Sequence, residues 1–360
     1  MERALNLIKE ILSNTFISLL KKDVSIMYLV GGALRDAYYG IPLKDFDFVV
    51  SNEDLEVVTD FLEDRKIHYF NLNKGQFLLL RATSNNFTFD FMRLDDSIEN
   101  DENKRDFTIN ALYYDIKADK SIFKDKFIDD LEMHILRVVD DNSIKSDPIR
   151  SLRGIRLAAD LALSIEPGTK QFIREGVSLL QYVPKDRVRE EVKKILHTDF
   201  NALSSVFFAL FGIDLADLLP RVNAIDRMEL LGKEINKDVS FKDLCKLSIL
   251  VKHFDFLLAG FTGKERRYIE QINSLNIENN FDSLFESFAN YLREIRIPLC
   301  AVACFFNVED ALKAYDLFLR WGKIKINGNE LKKNSLGSRE IGDKKKELLK
   351  AYCRKIYEEI

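Results

Sequence analysis

The segment that decides the fold has the sequence GGALRDAYYGIPLKDFDFVV and spans residues 31–50. An apolar run just before it, IMYLV, predicts a β-strand that ends at the two glycines. ALRDAYYG then predicts a short helix ending at Gly40, and DFDFVV, residues 45–50, predicts the next strand. The segment therefore predicts a strand, a glycine turn, a helix and a second strand in close succession, as in a mixed α/β unit.

Two carboxylates lie on one face of the second of these strands. Side chains two positions apart in a strand point the same way, so Asp45 and Asp47 stand side by side while Phe46 and Phe48 pack on the opposite face. Carboxylates this close repel each other unless a cation lies between them, and Mg²⁺ prefers such oxygen ligands. The preceding glycines let backbone N–H groups and a helix N-terminus approach a phosphate. Together these features predict nucleotidyl transfer.

The composition narrows the class of protein. The chain has 360 residues, of which 46 % are hydrophobic and 31 % charged, with a net charge of −4, so a soluble globular protein is expected. A nucleic-acid-binding surface has to be local, and the last forty residues supply one, with 11 Lys/Arg against 6 Asp/Glu, a net of +5. The alternative for that stretch is a solvated helix face. Four scattered cysteines and four scattered histidines predict neither a disulfide framework nor a zinc site. We expect no signal peptide, no membrane span and a cytoplasmic location.

The pattern changes along the chain. QFLLLRAT and FTFDFMRL predict two more strands, separated by the polar turn SNNF, so the first 140 or so residues form the mixed unit. From about residue 143, apolar residues recur every three or four positions and the rest is predicted to be all helical.

Long motifs in this order resemble one family. LVGGALRD followed by DFDFVV resembles the nucleotidyltransferase head of class II (bacterial-type) tRNA 3′-end-adding enzymes and the related poly(A) polymerases. KRDFTINALYYD resembles the second head motif of that family, SDPIRSLRGIRLAADLALSIEPGT and VPKDRVREEVKKIL its neck, and INGNELKKNSLGSREIGDKKKELL its tail. The resemblance implies an α+β protein: a polymerase-β-like mixed-sheet head at 1–140, then an all-α neck at 141–200, body at 201–320 and basic tail at 321–360.

The resemblance also implies roles for single residues. Asp45 and Asp47 would hold Mg²⁺ and carry catalysis, and Asp90 is either a third carboxylate or a satisfied polar residue of its strand. Asp106 is also a candidate helix N-cap before FTINALYY. The implied nucleotide contacts are Gly31, Gly32, Arg35, Arg105, Asp106, Asn110, Asp147, Arg150, Arg153 and Arg156. The implied RNA contacts are Lys332, Lys333, Lys344, Lys345 and Lys346.

Asp147 and Arg150 are predicted to select the base. They are spaced i, i+3, which places them on one face of a helix. Cytosine offers one donor and two acceptors, and a carboxylate beside a guanidinium matches that edge. The alternative is an ordinary ion pair within the helix. One departure falls here, because Ser146 stands where the family has a glutamate, and Lys104 likewise replaces an arginine of the second head motif.

The implied activity is template-independent addition of C residues from CTP to the 3′ end of tRNA. Between Arg93 and Arg105 lie only 11 residues, LDDSIENDENK, whereas family members that also add A have a longer, flexible segment there. We therefore expect CC addition. The alternatives are full CCA addition with CTP and ATP, a poly(A) polymerase, a non-catalytic RNA-binding relative and a small-molecule nucleotidyltransferase. The oligomeric state is left open.

Overall fold

The computed structural model describes residues 1–71, 79–94, 96–232, 234–236, 239–291, 294, 296–325 and 338–359. It divides into two compact units, Met1–Leu179 and Leu180–Ile360. The first contains a mixed sheet and the second is mostly helical, so the predicted α+β class is confirmed. The boundary between the units falls at Leu179, within the segment predicted as the neck.

A seven-stranded sheet forms the centre of the first unit. Its spatial order is β3-β4-β5-β2-β1-β6-β7, and every neighbouring pair is antiparallel except β2 and β5, which are parallel. The strands are β1 Met27–Val30, β2 Asp45–Val50, β3 Tyr69–Asn71, β4 Leu79–Ser84, β5 Phe87–Arg93, β6 Tyr113–Asp115 and β7 Lys120–Ile122. The carboxylate strand β2 therefore lies at the middle of the sheet.

The aromatic face of β2 explains why the sheet forms there. Phe46 and Phe48 are fully buried and stack on Phe89 and Phe91 of β5, with ring centroids 5.6 and 5.3 Å apart. Phe16 packs edge-on against Phe89 at 4.8 Å. Burying such rings stabilises the sheet by roughly 1.5–3 kcal/mol for each side chain. The opposite face of the same strand is thereby left for Asp45 and Asp47.

Helices cover and extend this sheet. Those of the first unit are α1 Glu2–Ser13, α2 Ile17–Leu20, α3 Gly32–Tyr39, α4 Asn52–Asp64, α5 Ile98–Asn103, α6 Asp125–Glu132, α7 Ser143–Ser146, α8 Ile149–Asp160 and α9 Pro167–Ser178. Two short strands, β8 Ile135–Leu136 and β9 Ser164–Ile165, pair in parallel. Helices α7, α8 and α9, which belong to the predicted neck, thus lie in the same unit as the sheet.

The described residues of the second unit form nine α-helices and a two-stranded ladder. The helices are α10 Lys185–His197, α11 Phe200–Phe211, α12 Leu219–Arg227, α13 Phe241–Leu250, α14 Gly263–Ser274, α15 Phe281–Asn290, α16 Arg296–Phe305, α17 Val308–Trp321 and α18 Ser338–Glu358. The strands are β10 Glu234–Asn236 and β11 Val239–Ser240. The prediction of helix alone after residue 143 is therefore wrong at this ladder and at β9. A disulfide joins Cys245 of α13 to Cys300 of α16, which the spacing of the cysteines did not predict. None of the helices described is long and apolar enough to cross a membrane.

Candidate active site

One cavity of about 490 Å³ in the first unit collects residues from the glycine turn, the carboxylate strand, the second head motif and the neck. It is lined by every residue that the sequence analysis expects to contact the nucleotide or to bind the metal. Those residues are Gly31, Gly32, Arg35, Asp45, Asp47, Arg105, Asp106, Asn110, Asp147, Arg150, Arg153 and Arg156. Two further cations on the wall, Lys44 and Lys104, were not assigned a role from the sequence.

The glycine turn lies directly against a catalytic candidate. Gly31 has φ +78° and ψ −144°, a backbone conformation that residues other than glycine rarely adopt. A Cβ at this position would lie 3.1 Å from Oδ2 of Asp47. The turn therefore requires glycine for its backbone conformation and for its close approach to the carboxylate.

The carboxylates themselves are crowded. Asp47 lies opposite Asp90 in the parallel register of β2 and β5, and Asp45 precedes it on the same face. Burial and the charges of Asp90 and Asp45 raise the pKa of Asp47 to about 6, although Arg105 and Arg153 act in the opposite direction. A bound divalent cation would relieve this repulsion. The donor set of Asp45 and Asp47 therefore fits Mg²⁺, whose usual protein ligands are one or two carboxylates together with substrate phosphates.

Asp90 has a partner of its own. Arg81 of β4 donates two hydrogen bonds to it, Nε to Oδ1 at 2.7 Å and Nη2 to Oδ2 at 2.6 Å. Over the described part of the chain, no three acidic, histidine or cysteine side chains are grouped to hold a metal. The role of Asp90 as a third catalytic carboxylate stays a prediction, and the structure supports the alternative of a satisfied strand residue equally well.

A chain of polar contacts joins α8, in the neck, to α3, the helix that follows the glycine turn. Nε of Arg153 lies 3.0 Å from Oδ2 of Asp106, whose Oδ1 accepts hydrogen bonds from Nδ2 of Asn110 and from the backbone N–H of Phe107. Arg35 in turn donates to Oδ1 of Asn110. Burial opposes ionisation of Asp106, but Arg153, these hydrogen bonds and Arg150 together lower its pKa. Asp106 is thus an anion that pairs with Arg153 of α8 and, through Asn110, orients Arg35 of α3.

The prediction that Asp106 caps a helix is wrong. The residues after it form only a 3₁₀ turn, Thr108–Asn110, which is preceded by Phe107 and has no side-chain cap. β6 follows at once, so FTINALYY is a turn and a strand.

Arg105 is held by a residue that sequence reasoning missed. Asp101 of α5 accepts from Nε of Arg105 at 3.0 Å and from Nη2 at 2.6 Å, and Tyr113 donates to the same oxygen. The neighbouring Glu102, which is buried, pairs with Lys124. The short segment between Arg93 and Arg105 therefore contains a helix anchored by two adjacent acids.

The two base-selecting candidates are close, but not for the reason expected. Asp147 has extended backbone angles, φ −143° and ψ 91°, and lies between α7 and α8, whereas Arg150 lies in the first turn of α8. The argument that both residues share a helix face is therefore wrong. Both still line the cavity, where the backbone N–H of Arg150 donates to the carbonyl of Asp147 at 3.0 Å.

Comparison with known proteins agrees with this geometry. Residues 27–137 match the family model described as "Poly A polymerase head domain", and residues 162–204 match "Probable RNA and SrmB- binding site of polymerase A". The match to the head-domain model lies entirely within the first unit. The family resemblance drawn from the motifs is thereby confirmed.

Individual relatives of this head domain have several names. A CC-adding tRNA nucleotidyltransferase of Synechocystis is 32 % identical over 171 residues, which cover 47 % of this chain and 41 % of that protein. A CCA-adding enzyme of Limosilactobacillus fermentum is 30 % identical over 185 residues, covering 47 % of this chain and 45 % of that one. The match thus spans rather less than half of these curated relatives. The solved Thermotoga maritima CCA-adding enzyme, complexed with tRNA, has the same fold, with a TM-score of 0.71, 20 % identity and coverage of 98 % of this chain and 94 % of that one.

The basic residues beyond the head domain have acidic neighbours. Lys346 pairs with Glu286 of α15 and Lys344 with Glu347, each at 2.9 Å. Lys345 lies on the same helix, α18, while Lys332 and Lys333 fall outside the described residues. Glu286 lies outside the tail and offsets part of its net +5, whereas Glu347 is already counted in that net charge. The role of the tail in RNA binding stays a prediction.

Proposed function

We propose that the chain is a Mg²⁺-dependent tRNA nucleotidyltransferase that adds C residues from CTP to the 3′ end of tRNA without a template. The observation that carries the proposal is the single cavity in which a carboxylate pair, a glycine turn and five arginines meet. The names of the curated relatives support the reaction class, since one is a CC-adding tRNA nucleotidyltransferase and the other a CCA-adding enzyme. The proposed setting is the cytoplasm, with tRNA and CTP as partners.

In this proposal the glycine turn and the arginines hold the triphosphate. The N-terminus of α3 and Arg35 bind its phosphates, because N–H groups and guanidinium groups favour anions. Asp45 and Asp47 would hold Mg²⁺, which neutralises developing charge on the reacting oxygens. The 3′-hydroxyl of tRNA attacks the α-phosphorus, and the new ester bond forms as the bond to pyrophosphate breaks.

Selection of cytosine needs complementary groups at the base edge. A carboxylate at Asp147 accepts from the exocyclic N4 amine, and a guanidinium at Arg150 donates to N3 and O2. A base with a different edge leaves buried groups unpaired, which disfavours it by about 1–3 kcal/mol for each group. Arg153 and Arg156 extend the positive surface along α8.

We further propose that the enzyme adds two C residues and stops. A pocket that selects cytosine has to rearrange before it accepts adenine, and such rearrangements depend on mobile segments. Here the segment before Arg105 is short, and Asp101 and Glu102 hold its helix by ion pairs. This anchoring supports a pocket with one state. Full CCA addition is the second candidate, which the CCA-adding relatives favour.

The test uses three tRNA substrates, one lacking CCA, one ending in C and one ending in CC. Each is incubated with Mg²⁺ and CTP, ATP or both, and product lengths are measured on a gel. We expect the first two to be extended to CC by CTP and the third to be unchanged by ATP. A single A added to the third substrate at a rate near that of C addition contradicts the CC-only proposal. Long A tracts would indicate a poly(A) polymerase, and no extension of any substrate refutes the reaction class.

A further inference from the structure

The side chain of Arg150 is fixed by oxygens that lie outside the expected base-selecting pair. Its Nη1 donates to Oγ of Ser143 at 2.7 Å and lies within hydrogen-bonding distance of the carbonyls of Arg105, at 3.1 Å, and of Ser143 itself, at 3.2 Å. Its Nη2 donates to the carbonyl of Lys104 at 2.5 Å. A guanidinium is planar, with its N–H groups in a rigid fork. Acceptors at both Nη atoms therefore determine the plane of the group and the direction in which its other N–H bonds point.

Ser143 is the one side chain in this set of acceptors, and it is built into the protein interior. It is the first residue of α7 and only 2 % exposed. Its hydroxyl also lies 3.2 Å from the carbonyls of Arg105 and Asp106, to either of which it can donate its proton. The Ser143 oxygen thus accepts from the arginine while its proton is directed to the second head motif. One hydroxyl therefore sets Arg150 in register with the segment that binds the nucleotide.

Ser146 has a different role. Its hydroxyl donates to the carbonyl of Ser143 at 2.8 Å, which closes the single turn of α7. It stands where the family resemblance places a glutamate, so the charge expected there is missing. The hydroxyl that contacts Arg150 comes from the other end of the same turn.

We propose that Ser143 is a positioning residue that orients Arg150 for selection of the base. The inference rests on the proposed function, because it assumes that Arg150 contacts the cytosine of CTP. A merely structural serine at the start of α7 would affect folding stability and overall activity, but it would affect CTP and UTP equally. Loss of orientation instead weakens the contact that separates the two bases, which differ at N3 and at the exocyclic group of C4.

The experiment measures kcat/KM for CTP and for UTP with tRNA lacking CCA. Ser143→Ala should lower the CTP:UTP ratio roughly tenfold, the effect of losing a hydrogen bond to a charged group. Ser143→Thr, which keeps the hydroxyl, should restore most of the ratio. Ser146→Ala is the matched control, since it removes a serine hydroxyl from the same turn without removing an acceptor of Arg150, and its ratio should stay within about twofold of wild type.

The outcomes separate the two levels of the argument. If wild type prefers CTP and Ser143→Ala keeps that preference, the positioning role is refuted and the proposed function stands. If wild type incorporates neither nucleotide, the proposed function fails, and this inference fails with it. Circular dichroism shows whether Ser143→Ala is folded. If it is not, Ser143→Cys, which has only a weak donor and acceptor in a similar volume, replaces it and has to show the same loss of preference.

Discussion

Replacement of Gly31 by alanine tests the geometry of the site most directly. At φ +78° and ψ −144° an alanine is strained by about 1–3 kcal/mol. Its methyl group would in addition lie 3.1 Å from Oδ2 of Asp47. For a unit of this size, that strain lowers the melting temperature by about 2–12 °C. A carboxylate displaced by as much as 1 Å reduces turnover on the order of 100-fold.

Two other glycines separate strain from collision. Gly40 also has a positive φ, +72°, but a Cβ there meets nothing within 4 Å, so Gly40→Ala should lower stability by about 1–2 kcal/mol and leave turnover unchanged. Gly32 begins α3 with an ordinary φ, and its added Cβ would meet only the end of the flexible Arg35 side chain, at 3.1 Å. Gly32→Ala should therefore be close to neutral for stability.

The assays are thermal unfolding by circular dichroism and single-nucleotide incorporation at saturating CTP and Mg²⁺. Trp321, the only tryptophan of the chain, lies in the second unit, so its fluorescence reports on that unit and serves as an internal control. A Gly31→Ala protein that melts like Gly40→Ala and turns over like wild type would refute the argument that this turn is fitted to the carboxylate.

Three further predictions follow from charges. Asp47→Asn should abolish incorporation in the folded protein, whereas Asp90→Asn should reduce it much less if Asp90 serves only Arg81; equal losses would make Asp90 catalytic. Asp54 accepts four hydrogen bonds, which lower its pKa against the opposing effect of burial. Its contribution to stability is thus present above the unfolded pKa of about 4 and lost as pH falls through the lower folded value. Asp54→Asn should therefore lower the free energy of unfolding at pH 7 by about 1–3 kcal/mol. Unfolding curves measured below pH 4 should show a smaller difference between this variant and wild type. Finally, if the tail binds phosphate, Lys345→Glu should raise the KM for tRNA and flatten the log–log dependence of binding on salt by roughly 0.7–0.9. Lys346→Glu should have a smaller effect, because Lys346 is already paired with Glu286. Identical salt slopes in wild type and both variants would leave α18 as a solvated helix.

Local patterns predicted the central part of the first unit. Alternating phenylalanines and aspartates specify β2 and its two faces, and Gly40 ends α3 in the left-handed conformation expected of it. The strand β6 was missed because its three residues, Tyr113–Asp115, follow a buried turn and show no alternation that distinguishes them from a helix. Contacts between distant side chains, such as Asp101 with Tyr113, depend on tertiary packing that periodicity does not encode.

The error at Asp147 had a visible signal. Pro148 follows it, and the ring of a proline disfavours helical angles at the preceding residue. The helix therefore begins after Asp147, and the i, i+3 argument does not apply. Spacing predicted that this residue and Arg150 would be neighbours, while the proline determined the geometry in which they meet.

The strand register that places Asp47 beside Asp90 also affects the stability of the folded protein. The pKa of Asp47 is about 6 rather than its ordinary 3.8. Its ionisation at neutral pH therefore lowers the stability of the folded state, by on the order of 3 kcal/mol. The inactive Asp47→Asn protein should accordingly be harder to melt than wild type, and a divalent cation should narrow the difference by stabilising wild type alone. Selection for heat resistance without selection for activity would then enrich proteins that have lost the reaction, because the charge that the chemistry needs destabilises the folded state.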